Sequence, residues 1–420
     1  MWQTIRLIFK DVDLRKKFLY LFAILAVFRL AASVPLPNID HAVLKRFFED
    51  SQFLGLLNIF SGGGLSNVSI VMLGLGPYIT GSIIMQLLTM IFPRLKEIYQ
   101  EEGEAGRQRF NQYSRLLTVP LALIQGFSLL KILERSGVLQ FNNAQMIMSL
   151  IVVTAGAVFL MWLGELITEY SIGNGASLLI FAGIVAGIPT SLQQIQLSMD
   201  SSQLPQLLLF AAIALVTIAA VVIISEGERS IPVHYAKRVR GMKLYGGATT
   251  NLPLRVNQAG VIPIIFAVSI LLFPQMFASF FAGSSYGFLR SISSGLTTFL
   301  ATTWLYGTFY FFLVFIFTYF YTAVTFDPGA ISQNLQRSGA FIPGIRPGPS
   351  TTEFLNRIVT RITLVGALFL GAIAVLPIVV QGFTGIQSLT VGGTALLIVV
   401  SVVIETGKQI QAQLSLRAYE

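Results

Sequence analysis

The stretch Ser61-Gly62-Gly63-Gly64-Leu65-Ser66-Asn67-Val68-Ser69-Ile70-Val71-Met72-Leu73-Gly74-Leu75-Gly76-Pro77 lies within residues 51 to 93, a run without a single charged side chain. A run that long and that apolar belongs in hydrocarbon, since a helix needs about 20 apolar residues to cross roughly 30 Å of bilayer core. A plain anchor has no use for its breaks. Broken backbone at membrane depth survives only where protein wraps it or where it lines a cavity. The stretch therefore predicts an interrupted helix beside a passage, with a short segment, roughly Leu56 to Ser66, folded back to obstruct it. Gly62 to Gly64 supply the conformational freedom for such a fold-back. The alternative is a re-entrant segment that packs without a specific task.

The rest of the chain extends this reading to an all-α polytopic membrane protein. Of 420 residues, 54% are hydrophobic and 11% charged, against about 25% charged in soluble domains. Charge-free intervals cut at Gly and Pro give ten candidate spans, near residues 19–34, 70–91, 114–133, 146–166, 176–190, 206–224, 258–280, 300–322, 361–379 and 387–405. With the amino terminus inside, 22 of the 28 Lys and Arg fall on inside segments and 5 on outside segments, and Arg29 lies within the first span. That asymmetry follows the positive-inside rule and puts both termini in the cytoplasm. The net charge of +9 is first a topology signal.

Other features exclude function classes. The first span lacks a small-residue cleavage site and runs into Val34-Pro35-Leu36-Pro37, so it does not read as a cleavable signal peptide. Cys is absent, and only His41 and His234 represent histidine. No HExxH, GxSxG or GxxxxGK[ST] pattern occurs, which leaves no constellation for an intramembrane protease or an ATPase and implies no cofactor. A secondary transporter would need polar or ionisable groups at the midplane, where this chain is almost bare of them.

Five spans on each side of residue 190 give two halves, 1–190 and 191–420, and an odd number of helices per half inverts one against the other. Inverted repeats with discontinuous helices in matching positions mark transport architectures. Helix two carries Gly74, Gly76, Pro77 and Gly81, and its counterpart, helix seven, carries Gly260 and Pro263 with Asn257-Gln258 at its inner end. Two inside segments, about 225–257 and 326–361, are too long for simple turns. The first fits a hairpin around Gly246-Gly247, and in the second Ala330 to Ser338 fits a short helix before a Gly/Pro turn.

Several residues are candidates for function. Leu75 and Ile79 share a face of helix two, while Ile180, Ile265 and Ile398 fall near the middle of helices five, seven and ten. Each alone reads as bilayer or core packing, but together they fit a narrow apolar constriction that blocks ions and water by dewetting. Gln86, Asn257 and Gln258, at inner helix ends, fit either a hydrogen-bonded seam that must open or amides satisfied by their own loops. Arg29 and the Glu165/Glu169 pair read as structural, with Arg29 snorkelling to an interface and the carboxylates at the inner surface beside Ile172-Gly173-Asn174-Gly175. The basic residues of the inside loops fit topology and anionic lipids, or docking of a large acidic partner such as ribosomal RNA or an acidic motor protein.

Long strings of the chain resemble the SecY family, the bacterial subunits of the protein-translocation channel. They include Leu57-Asn58-Ile59-Phe60-Ser61-Gly62-Gly63, Ser82-Ile83-Ile84-Met85-Gln86-Leu87-Leu88, Trp162-Leu163-Gly164-Glu165, Ile172-Gly173-Asn174-Gly175, Val256-Asn257-Gln258-Ala259-Gly260-Val261-Ile262-Pro263 and Ser338-Gly339-Ala340-Phe341-Ile342-Pro343-Gly344-Ile345-Arg346-Pro347-Gly348. The resemblance implies a ten-helix clamshell of two inverted five-helix halves around a central pore in the bacterial cytoplasmic membrane. It implies a pore ring at Leu75, Ile79, Ala176, Ile180, Ile265 and Ile398, and a plug over about 56–69 that includes Leu57, Asn58, Phe60, Gly62, Gly63, Gly64 and Leu65. It puts Gln86, Asn257 and Gln258 in a lateral gate, and Arg346, with Lys237, Arg238, Arg240, Lys243 and Arg337, in cytosolic docking. The implied partners are SecE-type and SecG-type membrane subunits, the SecA motor ATPase, the ribosome, preprotein signal sequences and anionic lipids. The chain departs from the family at Met242-Lys243, where paired arginines are common, and at Asp327-Pro328-Gly329, which lacks a basic group.

Overall fold

Asp11 starts the first helix: its carboxylate accepts hydrogen bonds from the amides of Asp13 at 2.9 Å and Leu14 at 3.3 Å, donors that a helix start otherwise leaves unmet. The computed structural model describes residues 11–37, 39, 43–44, 58, 61, 63–65, 67–100, 102–170, 173–198, 204–235, 238–240, 243–245, 249–281, 286–384 and 392–417. Helices dominate them. In the first half they are α1 (Val12–Ser33), α2 (Gly76–Ile91), α3 (Pro93–Gln100), α4 (Gly103–Arg135), α5 (Asn143–Tyr170) and α6 (Gly175–Ser198). The second half adds α7 (Leu204–Glu226), α8 (Ile262–Phe281), α9 (Gly287–Ala301), α10 (Thr303–Thr325), α11 (Pro328–Arg337), α12 (Pro349–Thr384) and α13 (Gly392–Arg417).

A helix stands in each of the ten expected intervals, but only some have membrane length. Among the described residues, α4, α5, α10, α12 and α13 each carry a stretch long and apolar enough to cross a bilayer, and α2 with α3 makes a sixth if that pair, bent by 118°, is one span. The others fall short: α2 has 16 residues, the apolar parts of α6, α7 and α8 are Gly175–Pro189, Ala211–Glu226 and Ile262–Gln275, and the 22 residues of α1 include Asp13, Arg15, Lys16, Lys17 and Arg29. The 36 residues of α12 extend about 54 Å at 1.5 Å per residue, so this helix outruns any bilayer core. It is helical from Pro349, which ends the second inside loop at Gly348 instead of 361.

The two segments expected to lie inside form a small sheet domain of their own. Strand β1 (Glu228–Tyr235) pairs antiparallel with β4 (Thr249–Arg255) from Glu228 opposite Arg255 to His234 opposite Thr249. Between them β2 (Arg238–Arg240) pairs with β3 (Lys243–Tyr245), Arg240 opposite Lys243. Both ladders keep one register, so they are a single long hairpin whose tip falls between Arg240 and Lys243. The hairpin expected around Gly246-Gly247 is thus re-centred, because the pairing of β1 with β4 fixes where the chain reverses; the two glycines lie outside the described residues. The short β5 (Ala340–Phe341) adds to β1 through His234 opposite Phe341 and Tyr235 opposite Ala340. Two loops expected as separate devices are one three-stranded sheet, in the order β4-β1-β5.

Three apolar cores follow. The largest joins α1, α2, α5 and α6 to α8, α10, α12 and α13, a second lies under α4 and the start of α5, and a third seats the sheet on α12 through Ile231, Val233, Leu254, Ile342, Leu355 and Ile358.

Candidate functional site

The leucine and isoleucines expected in the constriction are all buried. Leu75, Ile79, Ile180, Ile265 and Ile398 are between 0% and 8% exposed and belong to the same buried cluster, with Ala176 packed against it. They come from α2 or the residue that caps it, α6, α8 and α13, so four helices of both halves supply one core. Along α2 the pair is stacked by a helical turn, the Ile79 amide donating to the Leu75 carbonyl at 3.0 Å. The halves meet where α8 packs against α2 and α4 and where α13 packs against α6.

Helices α2 and α8 start alike. Gly74 has φ +58° and Gly260 has φ +61°, a left-handed turn that costs a side-chain-bearing residue about 1–2 kcal/mol. Each helix begins two residues later, and a proline follows three residues after the glycine, Pro77 and Pro263, where the missing N–H would have had no partner. Five residues after each glycine comes an isoleucine, Ile79 and Ile265. Sequence reasoning noted the breakers and missed this spacing, which the pattern Gly-x-x-Pro-x-Ile displays in both places. It also makes Val261, buried in the same cluster, the counterpart of Leu75.

The obstructing segment is only partly described. Leu57, Phe60 and Gly62 lie outside the described residues. Asn58 accepts a hydrogen bond from the Gly63 amide at 2.8 Å through its carbonyl, Gly63 has φ +82°, and Gly64 is buried where a Cβ would come within 2.8 Å of Ser69 Oγ. Leu65 is buried in the second core, with Val68, Leu130 and Leu133, and not in the cluster that holds Ile79. The end of the expected plug is fastened: the Leu36 amide donates to the Val68 carbonyl and the Ile70 amide to the Val34 carbonyl, each at 3.0 Å. Val68 itself adopts φ +44°, rare for a β-branched residue.

The polar seam is buried but not joined. Gln86 Oε1, Asn257 Oδ1 and Gln258 Oε1 are buried without a hydrogen-bond partner among the described residues, and Asn257 Nδ2 turns onto its own loop at Gly260 O, 3.2 Å away. Of the two readings open for these amides, Asn257 Nδ2 follows the one in which a side chain bonds its own loop, and no bond joins Gln86 to Asn257 among the described residues. Glu165 pairs with Arg115, whose Nε lies 2.5 Å from Oε1, and the pair ties α5 to α4.

The residues expected to dock a partner divide between two places on the sheet domain. Arg238, Arg240 and Lys243 lie on the tip strands of the hairpin, whereas Lys237 lies outside the described residues. Arg337 and Arg346 are exposed on the second loop. That loop is pinned: Asp327 caps α11 by accepting from the amides of Gly329 at 2.8 Å and Ala330 at 3.1 Å, Ser332 Oγ donates to Gly348 O at 2.8 Å, and Thr351 Oγ1 donates to Arg346 O at 2.9 Å. Asp327, which stands where the family has a different pattern, thus has a local structural use.

The SecY family model matches residues 69–407. The chain belongs to the SecY family. Among curated SecY-family relatives, the protein translocase subunit SecY of Mycobacterium leprae is 42% identical over 435 residues, covering 98% of this chain and 97% of the relative. That of Thermotoga maritima is 41% identical over 436 residues, covering 100% and 97%. Among solved structures, one described as a protein conducting channel aligns with a TM-score of 0.63 at 17% identity, covering 94% of this chain and 91% of the other. Sec61 in a canine ribosome-channel complex from the endoplasmic reticulum aligns with a TM-score of 0.60 at 16% identity. These structures share the fold. The matched SecY region spans the broken helices α2 and α8, the whole sheet domain and most of α13.

Proposed function

We propose that this chain is the central subunit of a protein-conducting channel, through which unfolded preproteins cross the bacterial cytoplasmic membrane and from which transmembrane segments leave sideways into lipid. Membership of SecY, a family of channel subunits and not of enzymes, supports this reading. The observation that carries the mechanism is the single buried core to which Leu75, Ile79, Ile180, Ile265 and Ile398 contribute from both sides of the seam along α8.

In the proposed resting state these side chains close an hourglass pore inside a clamshell of ten spans, two inverted halves of five. Hydration of so narrow an apolar neck is unfavourable, so ions and water are excluded without any charged barrier. A crossing chain displaces isoleucine side chains, which reseal around it because none holds a directional bond. Opening along the seam costs little in hydrogen bonds, since the amide oxygens of Gln86, Asn257 and Gln258 have none to lose. A sufficiently apolar segment then moves into the bilayer, which solvates it better than the aqueous neck.

The remaining roles follow from family membership. The segment over about 56–69 acts as the plug, hinged above the fastening of Val68 and Ile70 to residues 34–36. Both termini and the sheet domain face the cytoplasm, where Arg346 and the hairpin tip receive the SecA motor or ribosomal RNA, with anionic lipid nearby. SecE-type and SecG-type subunits brace the clamshell. The decisive test uses the absence of native cysteine: single cysteines replace Leu75, Ile180 and Ile265, and a stalled signal-bearing chain is crosslinked to each. Crosslinks at all three support the neck, and crosslinks only at lipid-facing control sites refute it.

A further inference from the structure

Helix α9 was not among the expected spans, and its residues sort into three faces. Ser293 is buried, with Ser293 Oγ donating to Ala278 O of α8 at 2.5 Å, and Leu289, Leu296 and Leu300 lie on that same packed face. Phe288 and Ile292, one turn apart, are exposed at 76% and 42%. Arg290, Ser291, Ser294, Thr297 and Thr298 make the opposite, exposed polar face. A helix in water has no use for the middle stripe; a transmembrane helix has none for the polar one.

What adjoins the stripe identifies its occupant. The next helix, α10, begins at Thr303, carries a membrane-crossing stretch, and opens with exposed Trp304 and Leu305. Phe277 near the end of α8 is exposed as well, and so is Tyr286 just before α9. The apolar stripe thus runs on into surface that lipid covers, and Tyr286 and Trp304 flank it with the residues favoured at the membrane–water boundary. The 20 residues of α8 extend about 30 Å, so α9 and the sheet domain lie at opposite ends of that helix.

We infer that α9 is an interfacial helix, lying in the plane of the membrane at the face opposite the sheet domain, with Phe288 and Ile292 in the acyl boundary and Arg290 at headgroup level. Its ligand is the lipid surface itself. Through the Ser293 to Ala278 bond it fixes the depth of the far end of α8, the helix that carries Ile265. This placement depends on the membrane and not on the pore reading, so either can fail alone.

The test uses the cysteine-free chain in the assembled complex in vesicles. Nitroxide labels are placed singly at Phe288→Cys and Ile292→Cys on the stripe, and at Ser291→Cys and Ser294→Cys on the polar face, and relaxation by oxygen and by a water-soluble nickel chelate is measured. The expected result is strong relaxation by oxygen with loss of nickel relaxation at the stripe sites, and the reverse at the polar sites. Nickel access at all four sites overturns the inference by placing α9 in water. Stripe labels immobilised and closed to both reagents overturn it too, because a protein subunit then covers the face. Two sites per face keep the comparison intact if one variant fails to assemble.

Discussion

Ile79 and Ile265 occupy the same step of two helices that begin in the same way, each five residues after a left-handed glycine and two after a proline, and both are buried in one core. The equivalence links the two halves through one buried core. It also makes the two residues comparable in experiment, since each projects from the first turn of a helix that starts inside the protein.

An amide at either position would leave the apolar core with a polar group it cannot satisfy, at a cost of about 1–3 kcal/mol. Ile79→Asn, Ile265→Asn and Ile398→Asn are therefore expected to hydrate the neck, raise ion conductance in planar bilayers and relax the demand for a strong signal sequence. Ile79 and Ile265 variants with unequal conductance would show that the two helix starts are not functionally equivalent.

At the seam the expected sign is opposite. Gln86→Met removes a buried acceptor that has no partner, so the closed seam gains about 1 kcal/mol or more. Export of preproteins with weak signals should slow several-fold in vesicle assays. Faster export would mean that Gln86 finds a partner when closed.

Two glycines separate strain from crowding. Nothing lies within 4 Å of a Cβ at Gly260, so Gly260→Ala should cost only backbone strain, about 1–2 kcal/mol, with Gly260→Asn milder. At Gly366 in α12, a Cβ would sit 2.7 Å from Val256 O, where the hairpin passes into α8. Gly366→Ala should push α12 from α8 at a cost of about 1–3 kcal/mol and Gly366→Val more, read as lower thermal stability in detergent.

Arg346 is exposed on a loop whose backbone is held by Ser332 and Thr351. Arg346→Glu should leave insertion and stability of the channel unchanged while slowing motor-driven export about tenfold or more, as reversal of one charge at a docking contact allows. Unaltered export kinetics would remove Arg346 from motor coupling.

Much of this protein was legible without coordinates. Ten helix intervals, the glycine-broken stretch and the bias of Lys and Arg follow from local composition, because hydrocarbon selects for apolar runs and the membrane sorts flanking charges wherever the chain folds. The long strings named the family for the same reason. The apolar residues proposed for the neck could be nominated but not shown to be buried, since an isoleucine facing lipid and one facing a partner helix look alike in sequence.

The tertiary structure decided what depends on distant partners. The pairing of His234 with Phe341 and of Tyr235 with Ala340 fuses two inner loops into one sheet, and no local signal specifies it, because a strand edge accepts any backbone with free donors and acceptors. Asn257 turns to its own loop and not to Gln86, a choice between competing hydrogen bonds that only positions in space can settle. The amphipathic α9 escaped notice because a helix lying along a membrane is too polar to read as a span. Hydropathy is a sum over neighbours in the chain, whereas burial and hydrogen bonding are sums over neighbours in space.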